Sequence, residues 1–144
     1  NQMDLAFSFF SELGDYAFKN GTVLALEPNP AIYGTNFLNT TNEALDFVKE
    51  LNNKGLKVNV DLGTIIHNDE DISIIANEIQ FINHIHISEP YLESIAERTV
   101  HNDLYRLLKE HNYSNFVSIE MKNTEDLSIV ENAIYYIKDV FQRT

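Results

Sequence analysis

The chain has 144 residues, 44% hydrophobic and 22% charged, with a formal net charge of −12 and no cysteine, which fits one globular domain with a sizeable core. The acidity argues against phosphate-backbone binding, so no nucleic acid partner is expected, and the missing cysteines exclude disulfides and thiolate metal sites and suit a cytoplasmic protein. No apolar run approaches the roughly 20 residues of a membrane span and no signal-peptide pattern opens the chain, so no membrane partner is expected; a start on Asn1 rather than Met is what a fragment of a longer protein would show.

In chain order the pattern alternates helix and strand. Met3 to Lys19 carries apolar residues at Leu5, Phe9, Phe10, Leu13 and Phe18, roughly a helical stripe, and Asn20-Gly21 supplies its stop. Val23 to Leu26 reads as a buried strand; Pro28 and Pro30 prevent its continuation, so 28–39 is a loop beyond the strand's C-terminal end. Thr41 begins a second helix that Gly55 ends, with Leu45, Phe47, Val48 and Leu51 on its inner side. Val58 to Val60 is the second strand, 71–79 the third helix, and Ile82 to Ile87 the third strand, closed off by Pro90. A helix from His101 to His111, a strand from Phe116 to Ile119 and an amphipathic helix from Asp126 to Phe141 complete the series. Such alternation predicts parallel βα units, four of them.

Each of the four strands ends in a metal-type ligand: Glu27, Asp61, His86 and Glu120, at spacings of 34, 25 and 34 residues. Side chains alternate between the two faces of a strand. The ligands therefore share a face with Ala25, Asn59, His84 and Ser118, while Leu26, Val60, Ile85 and Ile119 occupy the other. The aliphatic face must pack on helices. The polar face is unsuited to a second helical layer, because each unpaired buried polar group costs about 1–3 kcal/mol. It suits the interior of a barrel beneath a metal site, where those groups become hydrogen-bond partners of the ligands. Four units make half of a (β/α)₈ barrel, with a small open sheet as the alternative; the polar face favours the α/β half-barrel, with chemistry at the C-terminal strand ends.

Four stretches carry a family resemblance: Leu26-Glu27-Pro28-Asn29-Pro30 with Tyr33-Gly34-Thr35-Asn36-Phe37, Val58 to Asp61, His84-Ile85-His86-Ile87-Ser88-Glu89-Pro90, and Val117 to Lys122. In this order they resemble the second half of the xylose-isomerase-like barrels, the sugar phosphate isomerase/epimerase group. The resemblance implies one divalent metal ion held by Glu27, Asp61, His86 and Glu120. It also implies that Glu27 and Glu120 are catalytic, moving a proton on and off a sugar carbon while the metal polarises the neighbouring oxygens. Oxygen-rich coordination with one imidazole suits Mn2+, Mg2+, Co2+ or Zn2+. Two positions depart from the family pattern: Thr64 stands where many members have His, and Leu92 where ketose epimerases carry Arg. With Thr64 and no basic patch, the abasic-site nuclease activity of one branch is not expected.

Other residues have plainer readings beside functional ones. Lys122 lies on the face of Glu120 and is placed to reach a phosphate or substrate oxygen; Glu89 and Asn29 have the same standing as substrate-binding candidates, against a role as solvated loop residues. His101 resembles a substrate-contacting His of the group, although an N-terminal helix position also accounts for it. His84 reads as a satisfied core histidine that supports the site, Tyr33 and Phe37 as loop packing or a lid, and His67 and His111 as surface residues. The expected function is a metal-dependent sugar or sugar-phosphate isomerase/epimerase working through an enediolate; a non-catalytic carbohydrate-binding or truncated barrel is the alternative. Two open sheet edges predict a homodimer that rebuilds a barrel, against a flattened sheet whose inner face is covered by the first helix.

Overall fold

The structure, a computed structural model, describes residues 2–142. Helix α1 (Gln2–Lys19) leads into strand β1 (Leu24–Leu26), then α2 (Thr41–Leu51) and β2 (Leu56–Asp61). Two short helices, α3 (Leu62–Asn68) and α4 (Ile74–Asn77), precede β3 (Ile82–Ile87), followed by α5 (Thr99–Glu110), β4 (Phe116–Ile119) and α6 (Leu127–Phe141). All strand pairs are parallel and the sheet order is β1-β2-β3-β4. Successive neighbours joined by crossovers on one side of a curved sheet are the connectivity of half a TIM barrel.

The core lies between the sheet and its helices. Leu56, Val58 and Val60 of β2 and Ile82, Ile85 and Ile87 of β3 are buried against Leu45 and Val48 of α2, Leu104 and Leu108 of α5 and Ile137 of α6. Ile82 and Ile85 are three residues apart, yet both are buried on this side. A register shift explains it: Val58 pairs with Ile82, but Asn59 pairs with His84, so β3 carries one extra residue there. The bulge leaves Asn59, Asp61, His84 and His86 in step at the paired positions Asn59–His84 and Asp61–His86.

Helix α2 starts in a capping box: Thr40 accepts from the Glu43 backbone N–H while the Glu43 carboxylate accepts from the Thr40 N–H. Helix α1 packs beside it, with Phe7 stacked on Phe47 at 4.8 Å and Phe10 edge-on to the same ring. The helix can approach the start of β2 only because residue 55 is glycine; a Cβ there would collide with the Gly14 carbonyl. Helix α1 thus belongs to the outer layer, and the alternative in which it folds across the inner face of the sheet is not the arrangement found.

Three differences from the expected elements stand out. Helix α3 follows β2 directly, where no element was expected; Asp61 caps it by accepting from the Thr64 N–H, and Asp69 ends it in the left-handed conformation. The helix expected over 71–79 shrinks to the single turn of α4 and a 3₁₀ turn at Ile79–Phe81, because α3 already spans part of the crossover. Helix α5 starts at Thr99, two residues before the expected His101.

Candidate metal centre

The four strand-end residues converge. One ligand atom from each of Glu27, Asp61, His86 and Glu120 lies within 4.8 Å of the other three. His86 Nδ1 stands 3.2 Å from Glu27 Oε2 and 3.1 Å from Glu120 Oε2. The sheet register produces this: Asp61 and His86 are paired neighbours, and the Glu120 N–H continues the ladder by donating to the Ile87 carbonyl at 2.9 Å.

The surrounding polar residues fix the carboxylates. Asp61 is 8% exposed. Its Oδ1 accepts from the Thr64 backbone N–H at 2.7 Å and from the Thr64 hydroxyl at 3.0 Å, while Oδ2 accepts from the buried Ser88 hydroxyl. Ser88 Oγ in turn accepts from the Gly63 N–H at 2.8 Å. The Asn59 amide donates to Glu27 Oε2 and lies 3.2 Å from His86 Nδ1. Below this layer His84 Nε2 meets Ser118 Oγ at 2.7 Å and its ring stands edge-to-face with His86, 4.9 Å between centroids. The reading of His84 as a satisfied, supporting histidine matches this geometry.

Crowding of like charges shows in the titration of the group. The hydrogen bond to Glu27 raises the pKa of His86; burial opposes it, and the charges of Glu27, Glu120 and Asp61 reinforce it. Burial raises the pKa of Glu120, partly offset by His86. Burial and the neighbouring His86 lower that of His84. Three carboxylates gathered around one imidazole repel one another, and a bound cation would relieve that repulsion. Three oxygen donors and one imidazole nitrogen, already within a few ångströms of one another, fit a hard-to-borderline divalent ion.

A pocket of about 260 Å³ opens above the cluster, lined by Glu27, Asp61 and Glu120 together with Pro28, Asn29, Tyr33, Thr64, Tyr91 and Leu92. Asn29 lines this pocket. The other three substrate-binding candidates are not among its lining residues. Glu89 is 4% exposed and accepts a bidentate pair from Arg98, Nε to Oε1 at 2.8 Å and Nη2 to Oε2 at 2.6 Å. His101 is fully buried, with Nδ1 2.9 Å from the Tyr136 hydroxyl. Glu89 belongs to the connection between β3 and α5 and His101 to the first turn of α5, and neither lines the pocket. Lys122 is ion-paired with Glu93 on the surface, and its backbone N–H donates to the Leu92 carbonyl at 2.8 Å. Sequence reasoning passed over Ser88 and Tyr91, and it had Asn59 as a partner of the ligands without singling out Glu27. An Asp followed three residues later by Thr was the available signal for the capped Asp61; nothing local marked Ser88 or Tyr91.

A four-stranded parallel βα unit with a carboxylate–imidazole cluster at its C-terminal strand ends defines half of a TIM barrel. The chain belongs to the xylose isomerase-like TIM barrel family, whose sequence profile matches residues 1–140. No curated protein matches the sequence. Among solved structures the fold is similar to an L-ribulose 3-epimerase (TM-score 0.84, 16% identity, 98% of this chain and 54% of the other). It is also similar to the 3-keto-D-glucoside 4-epimerase of E. coli (0.81, 17%, 95% and 53%) and to the D-psicose 3-epimerase of Clostridium cellulolyticum H10 solved with D-tagatose (0.75, 15%, 97% and 55%). The chain spans about half the length of these structures. At such identities the likeness establishes the fold. No helix among the described residues is long and apolar enough to cross a membrane.

Proposed function

We propose that the chain is the C-terminal half of a sugar isomerase/epimerase barrel, forming one domain over residues 1–144, and that its site moves a carbon-bound proton of a small sugar. The convergence of Glu27, Asp61, His86 and Glu120 on one point carries this reading, and the epimerase activities named for the similar structures set its direction. Asp61, His86 and the two glutamates would hold one divalent ion, Mn2+, Mg2+, Co2+ or Zn2+. When bound, that ion supplies positive charge beside the sugar carbonyl oxygen as negative charge develops there.

The residues of the chain do the rest. Glu27 and Glu120 are the two carboxylates that reach the pocket without a backbone cap. One takes the proton from the carbon next to the carbonyl; the C–H electron pair becomes the C=C bond of an enediolate and the carbonyl π pair moves to oxygen. Return of a proton to the same carbon from the other glutamate, on the opposite face, gives the epimer; return to the former carbonyl carbon, with the neighbouring hydroxyl proton passing to the former carbonyl oxygen, gives the isomer. Asp61 is committed to three hydrogen bonds, which suits a fixed ligand. Asn29 lines the pocket as a substrate contact. A cytoplasmic setting goes with the missing cysteines.

The test is incorporation of solvent deuterium into sugar by the intact protein supplied with Mn2+. Glu120→Gln should abolish it while leaving the thermal melting temperature within about 3 °C, a shift of roughly 1 kcal/mol or less. Unchanged incorporation in Glu120→Gln places the chemistry on another group. Sugar binding without any incorporation in the wild type would establish the non-catalytic alternative.

A further inference from the structure

Two tyrosines from different loops meet beside the proposed site. Tyr33, in the loop after β1, and Tyr91, in the loop after β3, pack edge-to-face with centroids 5.9 Å apart, and the Tyr91 N–H donates to the Tyr33 hydroxyl at 2.6 Å. Both line the pocket that holds the three carboxylates, yet remain 43% and 58% exposed. Tyr91 and Leu92 are consecutive left-handed residues, with φ of 61° and 52°. Such a conformation costs a non-glycine residue about 1–3 kcal/mol. It is held by the bond to Tyr33, by Leu92 N–H to the Glu89 carbonyl at 2.9 Å and by Lys122 N–H to the Leu92 carbonyl at 2.8 Å. The core gains little from it, since the Tyr91 ring stays largely in solvent. What the strained turn achieves is to present two aromatic rings to the pocket.

Charge around the same opening is one-sided. TIM barrels commonly bind phosphate with the loops after strands seven and eight, which in the C-terminal half are the loops after β3 and β4. Here the two cations of those loops are both committed, Arg98 to Glu89 and Lys122 to Glu93, and neither lines the pocket. A divalent ion among three carboxylates and a neutral imidazole leaves the cluster at a formal −1. A phosphate dianion would therefore enter against negative charge, with no cation in the lining among the described residues to receive it.

We propose that Tyr33 and Tyr91 form the specificity-determining wall of this site, packing on the C–H face of an uncharged polyhydroxy carbonyl compound, and that the site discriminates against its phosphate ester. This rests on the isomerase/epimerase reading and narrows its substrate class. The test uses the intact protein with Mn2+: deuterium incorporation into free ketoses and ketose phosphates, and calorimetric titration with the matching polyols and polyol phosphates, which bind without exchanging. Like-charge exclusion predicts kcat/KM at least about 100-fold higher for the free sugar, and a polyol Kd correspondingly below that of its phosphate. Loss of one stacking ring in Tyr91→Ala should raise KM and polyol Kd roughly three- to tenfold, with kcat and Mn2+ affinity unchanged; Tyr91→Phe should restore both. Equal or better use of the phosphate overturns the substrate class while leaving the isomerase/epimerase reading intact, and an unchanged polyol Kd in Tyr91→Ala overturns the wall. Absence of exchange with every compound, alongside Tyr91-dependent polyol binding, overturns the enzymatic reading and supports the wall.

Discussion

Replacing Ser88 by alanine tests how the site is built, because this one hydroxyl links the fold to the cluster. Ser88 is fully buried, donates to Asp61 Oδ2 and accepts from the Gly63 N–H at 2.8 Å. The donated bond goes to a carboxylate, a class that contributes about 1.5–3 kcal/mol. The accepted bond satisfies an N–H in the first turn of α3, which has no partner within its own helix; stranding it costs about 1–3 kcal/mol. The two effects share one residue and are not additive, so the metal-free protein should lose about 2–4 kcal/mol. Freed on one side, Asp61 should also bind metal some 10–100-fold more weakly, the usual consequence of removing a ligand's hydrogen-bond partner. Thr64→Val provides the comparison. It removes the hydroxyl contact at 3.0 Å but keeps the backbone N–H at 2.7 Å on the same oxygen, so its effect on both quantities should be smaller. Urea unfolding in chelator gives the stability and calorimetric titration with Mn2+ gives the affinity. A Ser88→Ala protein within about 0.5 kcal/mol of wild type, the range of an ordinary surface change, and with unaltered Mn2+ affinity would refute this account of the site.

The pH dependence should change sign with metal. His86 and Glu120 both have raised pKa values in the metal-free fold, so their stabilising contribution is complete below the unfolded values and is lost as pH rises through the folded ones. His84 and His101, whose pKa values burial lowers, act in the opposite sense, so the measurement is the difference from a His86→Gln variant. In chelator the stability that the wild type holds over the variant should shrink as the pH is raised from about 6 to 8, whereas wild-type melts in excess Mn2+ should rise as metal displaces the proton. A difference that grows in chelator counts against the coupled cluster. The isolated 144-residue chain should self-associate: β1 and β4 are open edges, and Leu5, Phe9 and Tyr16 on α1 and Phe116 on β4 are more than half exposed. Light scattering at micromolar concentration should give a mass above the 16.6 kDa of one chain, and a strictly monomeric mass would defeat the paired-half arrangement.

What the sequence by itself determined is the part that depends on local geometry. Alternation along a strand is a property of the backbone, so Glu27, Asp61, His86 and Glu120 were legible as strand-end residues sharing a face with Asn59, His84 and Ser118, and that face was recognisable as too polar for a helical layer. The helix of α2 and its cap were equally local. Helix α3 was hidden because its first residues, Leu62-Gly63, imitate a turn, and only the capping bond from Thr64 to Asp61 distinguishes the two. Tertiary structure decided the rest. The extra residue in β3 between the Val58–Ile82 and Asn59–His84 pairs depends on how neighbouring strands align, which no single strand encodes. Glu89 and His101 had the right residue types for substrate contact, but the path of the chain after β3 buries them against Arg98 and Tyr136. Ser88 and the Tyr33–Tyr91 pair acquire their roles across 27 and 58 residues of sequence. Such contacts exist only once parallel strands, which must be joined by long crossovers, have come together, and a one-dimensional pattern has no means of recording them.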